Sequence, residues 1–129
     1  VYINYEIFKL YANENNFQLI INDILMKFTA CLEKYNTFEC HVNIAGFTTT
    51  AAKRYQSMIK LFCNTCVLNK TDHTSDVSML YIYNTPNVFD SIRKIMNPFI
   101  HENIKSKIAT ISKEDSEEKL KDLLKLTRN

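Results

Sequence analysis

The sequence is poor in glycine and proline, with one glycine and two prolines in 129 residues. So few chain breakers predict few tight turns and much helix. A single glycine also excludes two kinds of catalytic loop: the Gly-rich loop that cradles phosphates, and the Gly-x-Ser-x-Gly turn of serine hydrolases. The only glycine, Gly46, directly follows a predicted strand, where we expect a turn.

Long hydrophobic runs and a strong net charge are missing too. No apolar run reaches the length that crosses a bilayer, and the first residues lack the basic-then-apolar pattern of a signal peptide. The net charge is +2 without a basic stripe, which argues against nucleic-acid binding. We therefore expect a cytoplasmic protein. Because the sequence begins at Val1 rather than at methionine, it is compatible with a piece of a longer chain.

The composition that is present is that of a globular protein, with 46% apolar and 23% charged residues. We expect residues 1–129 to form a single domain with its own core. Without secretory signs, its four cysteines should be reduced. Cys63 and Cys66 have the spacing of a redox or zinc motif that His41 and His73 would complete. Since no second cysteine pair is near and both follow a helical apolar stripe, we interpret them as structural thiols.

Hydrophobic periodicity along the chain alternates between that of strands and that of helices. Residues 2–10, rich in Tyr, Ile and Phe, favour a strand, and residues 17–35 have the spacing of a long amphipathic helix. Residues 38–44 alternate with a period of two, and residues 77–83 predict another strand. Strands that alternate with helices predict an α/β fold with a mostly parallel sheet of about four to five strands joined by βαβ crossovers.

Two helix starts are marked by side chains that can cap backbone N–H groups. The threonines at 48–50 offer N-caps for a helix that ends near Cys66. Ser112 and Asp115 resemble a capping box at the start of a charged carboxyl-terminal helix.

The rest of the chain is organised around residues 81–111. Pro86 interrupts the strand, because it lacks an N–H, and it favours a helix start. Apolar residues then recur at helical spacing over residues 88–100, which predicts an amphipathic helix with a wide apolar face. Pro98 disturbs the last turn of this helix, and residues 108–111 predict a short returning strand.

These pieces, in this order, resemble the CRAL-TRIO family of lipid-binding and lipid-transfer domains. In that family a strand ends in Asn-x-Pro, a gate helix follows, and Pro-Phe-hydrophobic precedes a Lys-Ile strand. The matching residues are Asn84-Thr85-Pro86, Val88-Phe89, Pro98-Phe99-Ile100 and Ser106-Lys107-Ile108. Upstream matches are Asn43-Ile44-Ala45-Gly46-Phe47 and Lys53-Arg54-Tyr55-Gln56. The resemblance covers residues 38–124 and indicates a short, minimal member that lacks the family's amino-terminal helical lobe.

The resemblance implies a domain that holds a phospholipid or another hydrophobic small molecule between the sheet and the gate-like helix at residues 88–100. It also implies that the domain associates peripherally with the surface of membranes. In phosphatidylinositol-binding members a Glu and the Lys of the Lys-Ile strand bind the headgroup; Lys107 matches the Lys, but no Glu matches, so that specificity is not implied. The residues expected to contact lipid are Phe89, Ile92, Arg93, Met96, Phe99, Ile100 and Lys107.

The strand at 38–44 leaves two alternatives open, because one of its faces is polar. Glu39, His41 and Asn43 alternate with apolar residues, whereas a strand of a doubly covered parallel sheet is usually apolar on both faces. The polar face either meets solvent or forms the floor of a cavity for an amphipathic ligand beneath the helix at 88–100. The wide apolar face of that helix favours the cavity.

A second interpretation of function is a protein-interaction module of the same fold. It would bind a small GTPase, a partner chain or a second copy of itself without transferring lipid, through an apolar groove that so short a chain leaves open. We expect no enzyme activity, cofactor or metal. His101-Glu102 lacks the second histidine of a zincin, and we place His101 at a helix end, where a cation is favoured.

Overall fold

A computed structural model describes the backbone of residues 1–68 and 76–127, and the side chains of residues 1–65 and 76–125. The elements run in the order β1 Tyr2–Asn4, α1 Tyr5–Tyr11, α2 Phe17–Tyr35, β2 Phe38–Asn43, α3 Thr49–Arg54, α4 Gln56–Leu68, β3 Val77–Thr85, α5 Phe89–Met96, a 3-10 turn Asn97–Phe99, α6 Glu102–Lys105, β4 Ile108–Ser112 and α7 Lys113–Thr127. The predicted α/β class with parallel strands and crossover helices is confirmed.

The predicted strand over residues 2–10 is wrong for most of its length. Only Tyr2–Asn4 pairs in the sheet, and Tyr5–Tyr11 is helical. The side chain of Asn4 accepts a hydrogen bond from the N–H of Glu6, which caps the new helix. Tyr5 is then buried and Phe8 half-buried on one side of α1, so their spacing of three is that of a helix face.

The predicted caps and helix ends are largely confirmed. The hydroxyl of Thr48 accepts from the N–H of Ala51 at 3.1 Å, which starts α3. The hydroxyl of Ser112 accepts from the N–H of Asp115 at 3.4 Å and donates to its carboxylate. Asn36 ends α2 in the left-handed conformation with φ 63°. The helix predicted to end near residue 66 is divided at Tyr55 into α3 and α4.

The four strands are all parallel, and their order in the sheet is β1-β2-β3-β4. Crossovers between parallel strands are almost always right-handed, so strands added in one direction place every connecting helix on the same face. We call this the helical face; its side chains include Cys40, Val42, Leu80, Ile82 and Ile108. The carboxyl-terminal helix α7 packs on β3 and β4, and its buried residues Ser116 and Leu120 are outside the core cluster that covers the helical face, which places α7 on the opposite side.

The core lies between α2, the α3–α4 pair and the helical face of the sheet. Ile21 and Ala52 are fully buried, and Phe28 stacks on Phe38 of β2 with ring centroids 4.4 Å apart. Tyr55, at the break between α3 and α4, packs its ring against those of Tyr5, Phe8 and Phe17, and so ties α1 and α2 to this helix pair. Nearly all buried residues of this core cluster therefore come from residues 5–58, to which β3 adds Val77.

The opposite face of the sheet, which we call the α7 face, carries the polar residues of the alternating strand. His41 is 8% exposed; its Nδ1 lies 2.7 Å from the Tyr83 hydroxyl and its Nε2 lies 3.0 Å from a carboxylate oxygen of Glu39. The imidazole stacks on the ring of Tyr81. Because the Glu39 carboxylate accepts, Nε2 of the neutral ring carries the proton and Nδ1 accepts from the Tyr83 hydroxyl. Burial, aided by the neighbouring Tyr81 and Glu39, raises the pKa of Tyr83, which keeps that hydroxyl protonated.

This network decides between the two alternatives for the polar face. Both ring nitrogens of His41 have protein partners, and the face is partly covered by α7 rather than by the helix at 88–100. The expectation that the polar face forms the floor of a cavity is wrong, because the crossover helices all lie on the other side. The same two hydrogen bonds leave His41 no free nitrogen for a zinc site with Cys63. His73 lies outside the described residues.

We expect Ser116→Ala to destabilise the fold by about 1–3 kcal/mol, because it orphans a buried backbone N–H. Ser116 is fully buried in α7; its hydroxyl accepts from the N–H of Asn84 at 2.7 Å and donates to the carbonyl oxygen of Ser112. Asn84 itself has φ 59°, and its N–H donates to the Ser116 hydroxyl. Urea unfolding measures the loss as a shifted midpoint with an unchanged slope.

The matched control is Ser57→Ala, at an exposed position of α4, which should stay within about 0.5 kcal/mol of the unchanged protein. Equal small effects of the two substitutions would show that the hydrogen bond from Asn84 to Ser116 contributes nothing to holding α7 on the sheet.

Candidate functional site

A cavity of about 570 Å³ lies between the helical face of the sheet and α5. Its floor is made by apolar side chains from all four strands. Its roof comes from α5 and the segment that follows it, and its far wall from α4. The floor includes Ile3, Cys40, Val42, Leu80, Ile82 and Ile108. The roof includes Phe89, Ile92, Met96 and Ile100, and the far wall includes Met58, Ile59, Phe62 and Cys63.

The cavity exists because α5 stands beside the sheet rather than flat on it. The main backbone neighbour of α5 outside its own segment is α3, and the 3-10 turn that follows packs against α4. Pro98 ends the regular helix, since it cannot continue the hydrogen-bonding pattern of α5, and the chain tightens into the 3-10 turn. Ile92 is 1% exposed and anchors α5, whereas Met96 one turn later is only half-buried over the cavity.

The structure brings together five of the seven residues that the sequence nominated for lipid contact. Phe89, Ile92, Met96 and Ile100 line the roof, and Arg93 lies beside them at an exposed position. The guanidinium of Arg93 sits over the ring of Phe89, 5.2 Å from its centroid, which holds the charge near the cavity.

The other two nominated residues do not line this cavity. Phe99 belongs to the 3-10 turn. Its side chain is half-buried, but it is not among the residues that line the cavity. Lys107 lies in the turn before β4, where its N–H donates to the carbonyl oxygen of Ile104. The family motif located both residues close to the segment that lines the cavity. A motif in the sequence does not give the direction of the side chains, and these two do not line it.

Three polar residues that line the cavity were missed. Asn97, His101 and Lys105 continue from Arg93 at intervals of four residues. The interval of four residues was visible in the sequence. Because Pro98 interrupts the helix, the sequence did not show that residues beyond α5 continue to line the same cavity. His101 is also corrected: it precedes α6 rather than ending a helix, and its Nδ1 accepts from the N–H of Asn103 at 3.2 Å.

The thiols near this cavity are predicted to be unreactive at neutral pH. Burial raises the pKa of Cys63 to about 11 and that of Cys40 to about 12. Only the thiolate reacts, and a thiol with a pKa near 11 is ionised to about one part in ten thousand at pH 7. We therefore expect iodoacetamide to label Cys63 at least about a hundredfold more slowly in the folded protein than in urea, as read by peptide mass mapping.

The partly exposed Cys31 is the internal control for reagent access. Rapid labelling of Cys63 in the folded state would contradict the structural interpretation and revive a redox role for the Cys63–Cys66 pair. The side chain of Cys66 lies outside the described residues.

The geometry agrees with the comparison against protein-family models. The model of the CRAL/TRIO domain matches residues 12–127. The chain belongs to the CRAL/TRIO family. The match begins well before residue 38 and takes in α2, which the sequence motifs had left outside the resemblance. Comparison with curated proteins gives no match.

CRAL/TRIO domains are in general lipid-binding and lipid-transfer domains that take hydrophobic small molecules. In this CRAL/TRIO domain the apolar cavity lies between the sheet and the helix that the family resemblance nominated as a gate. In the described part of the chain, no helix combines the length and the apolar character needed to cross a bilayer.

Proposed function

We propose that this CRAL/TRIO domain binds a phospholipid or another hydrophobic small molecule in the cavity between the helical face and α5, and transfers it between membranes. The observation that carries the proposal is the cavity itself, about 570 Å³ in volume and walled by aliphatic and aromatic side chains. Ligand cavities in proteins are typically about 300–1,000 Å³, largely apolar, with a few polar groups.

The energetics of an apolar cavity favour an apolar occupant. The cavity is open on one side, so without a ligand water has access to its apolar walls. An occupant that displaces this water buries apolar surface, which is worth about 25 cal/mol per Å². A lipid tail gains about 0.8 kcal/mol for each CH₂ group that it buries there.

The contacts divide between an anchor and an adaptable part of the roof. Ile92, fully buried, would hold α5 in place beside the ligand. Phe89, Met96 and Ile100 are half-buried and would follow the shape of the tail, since methionine in particular adapts to irregular apolar surfaces. Lys107, outside the cavity, would contact the membrane surface rather than the bound tail, and so would contribute to peripheral membrane association.

The experiment that tests the proposal is transfer between two vesicle populations. Donor vesicles of phosphatidylcholine carry enough fluorescent phospholipid for its fluorescence to be self-quenched, and acceptor vesicles carry none. We expect the rate of dequenching to rise in proportion to protein concentration and to exceed the spontaneous rate at least about tenfold, because the cavity spares the tail its exposure to water. A rate independent of protein concentration would refute transfer.

The second candidate, a protein-interaction module without lipid transfer, is favoured by one observation. Ile7, Leu10 and Tyr11 lie on one side of α1 by their spacing and are 56%, 73% and 69% exposed. Exposed apolar groups that share a helix face often mark a contact with another protein, including a second copy. A stable dimer that Leu10→Glu dissociates, in a protein that takes up no lipid, would favour this candidate over the first.

A further inference from the structure

The polar residues of the cavity are not scattered around it. Of the described residues that line it, four are exposed to solvent, and all four are polar: Arg93, Asn97, His101 and Lys105. They follow one another at intervals of four residues along the segment that runs from α5 through the 3-10 turn into α6. We call them the rim. Because only the rim is exposed, it marks where the cavity opens.

The rim offers hydrogen-bond donors and positive charge, and it contains no carboxylate. Arg93 and Lys105 are cations, and Asn97 contributes an amide. Because the Nδ1 of His101 accepts from a backbone N–H, the proton of its neutral ring is on Nε2, which is therefore a donor. No Asp or Glu is among the described residues that line the cavity.

Two contacts bear on how available the rim cations are. Arg93 lies over the ring of Phe89 and has no ion-pair partner among the side chains of residues 1–65 and 76–125. Lys105 pairs with Glu102 at 3.0 Å, but the Glu102 side chain is 83% exposed. Such surface pairs contribute about 0–1 kcal/mol, so Lys105 can exchange this partner for a ligand at little cost.

We propose that the cavity selects lipids with an acidic headgroup, a phosphate or a carboxylate, which the rim binds while the tails lie against the apolar floor. The inference rests on the proposed function and adds the ligand class to it. An apolar interior with one basic, donor-rich opening is complementary to an amphiphile whose single polar end is an anion. Phosphatidylcholine also has a phosphate group, but its quaternary ammonium neutralises the headgroup and would lie near the rim cations, whereas phosphatidic acid presents its phosphate without an attached cation. One further charge-assisted hydrogen bond is worth about 1.5–3 kcal/mol, which gives the acidic lipid at least about a tenfold preference.

The test is competitive loading from vesicles of equal parts phosphatidylcholine and phosphatidic acid with identical acyl chains. The protein is separated from the vesicles, and its bound lipids are quantified by mass spectrometry. We expect phosphatidic acid to exceed phosphatidylcholine in the bound fraction at least about tenfold. The double variant Arg93→Gln, Lys105→Gln should bring the ratio back towards one by lowering the amount of bound phosphatidic acid, while phosphatidylcholine still binds through the tail contacts.

A matched control separates the rim from general attraction to an anionic membrane. The double variant Lys60→Gln, Lys94→Gln removes the same charge from exposed positions that do not line the cavity, and it should keep the preference. Inorganic phosphate in excess should not displace bound phosphatidic acid, because it has no tail. Displacement by phosphate would overturn the lipid-headgroup assignment.

The outcomes also distinguish failure of the inference from failure of the proposed function. Uptake of both lipids in the proportion of the vesicles would overturn the acidic-headgroup preference but keep lipid binding. An equal loss of preference in the Lys60 and Lys94 control would overturn the rim as its source. Uptake of neither lipid would overturn the proposed function and this inference with it.

Discussion

Met96→Asp should reduce lipid uptake to less than about a tenth of that of the unchanged protein while the fold remains intact. Met96 lies in the roof of the cavity and is half-buried, so an aspartate there adds an ionised group against the lipid tail. Leaving such a charge without water costs several kcal/mol, which corresponds to well over a tenfold loss of affinity. Without ligand the cavity admits water, so the carboxylate stays solvated and unfolding is little affected.

Two further variants make the result interpretable. Ser91→Asp places the same charge on the exposed side of α5 and should leave uptake unchanged. Met96→Leu keeps the volume and apolar character of the side chain and should retain most of it. If Met96→Asp instead unfolds the domain, the residue belongs to an ordinary core; if uptake survives, the cavity is not the binding site.

Val42→Phe should block lipid uptake without destabilising the ligand-free protein. Val42 lies in the floor, one residue before the end of β2, and a phenyl ring there would project into the cavity of about 570 Å³. Filling an apolar cavity commonly stabilises a protein by about 0.5–2 kcal/mol, and phenylalanine is well suited to a strand. Urea unfolding without lipid and vesicle uptake, measured on the same preparation, should therefore change in opposite directions.

The control for Val42→Phe is a similar enlargement at a position where the structure has no unfilled space. Ala52 of α3 is fully buried, and Ala52→Leu should cost about 1–3 kcal/mol through overpacking, although leucine is a good helix former. A comparable loss of stability in Val42→Phe would show that the floor of the cavity is already filled by the protein's own side chains. That finding would leave the fold and remove the binding site.

The sequence predicted the long elements well, because their periodicity is strong. The 19-residue helix α2 was found with both of its ends, and β2 was found from its period of two. The segment after residue 4 was misjudged, since its Tyr, Ile and Phe residues favour strands. A local cap at Asn4 and the burial of Tyr5 outweigh that propensity.

The side of the sheet on which the ligand space lies could not be read from the sequence. Alternation separated Cys40 and Val42 from His41 and Asn43, but a period of two is the same whichever face the helices cover. The answer depends on the strand order, since only the order β1-β2-β3-β4 puts every crossover on one side. The polar face was accounted for by contacts distant in sequence, such as that between His41 and Tyr83.

The candidate site was predicted in part for a similar reason. Helical spacing identified Phe89, Ile92 and Met96, which share one side of α5. The rim residues Asn97 and His101 lie beyond the regular helix, where a 3-10 turn carries the same side of the chain past Pro98. Spacing rules for a regular helix do not extend across such a turn, so these residues emerged only from the structure.

Native mass spectrometry of the protein, purified without detergent and then incubated with vesicles of mixed phospholipids, tests the central claim most directly. We predict a species heavier than the polypeptide by the mass of one lipid, which Val42→Phe fails to form. Polypeptide mass alone, before and after the vesicles and at every protein concentration, would contradict the claim that the space beneath α5 is a lipid-binding cavity.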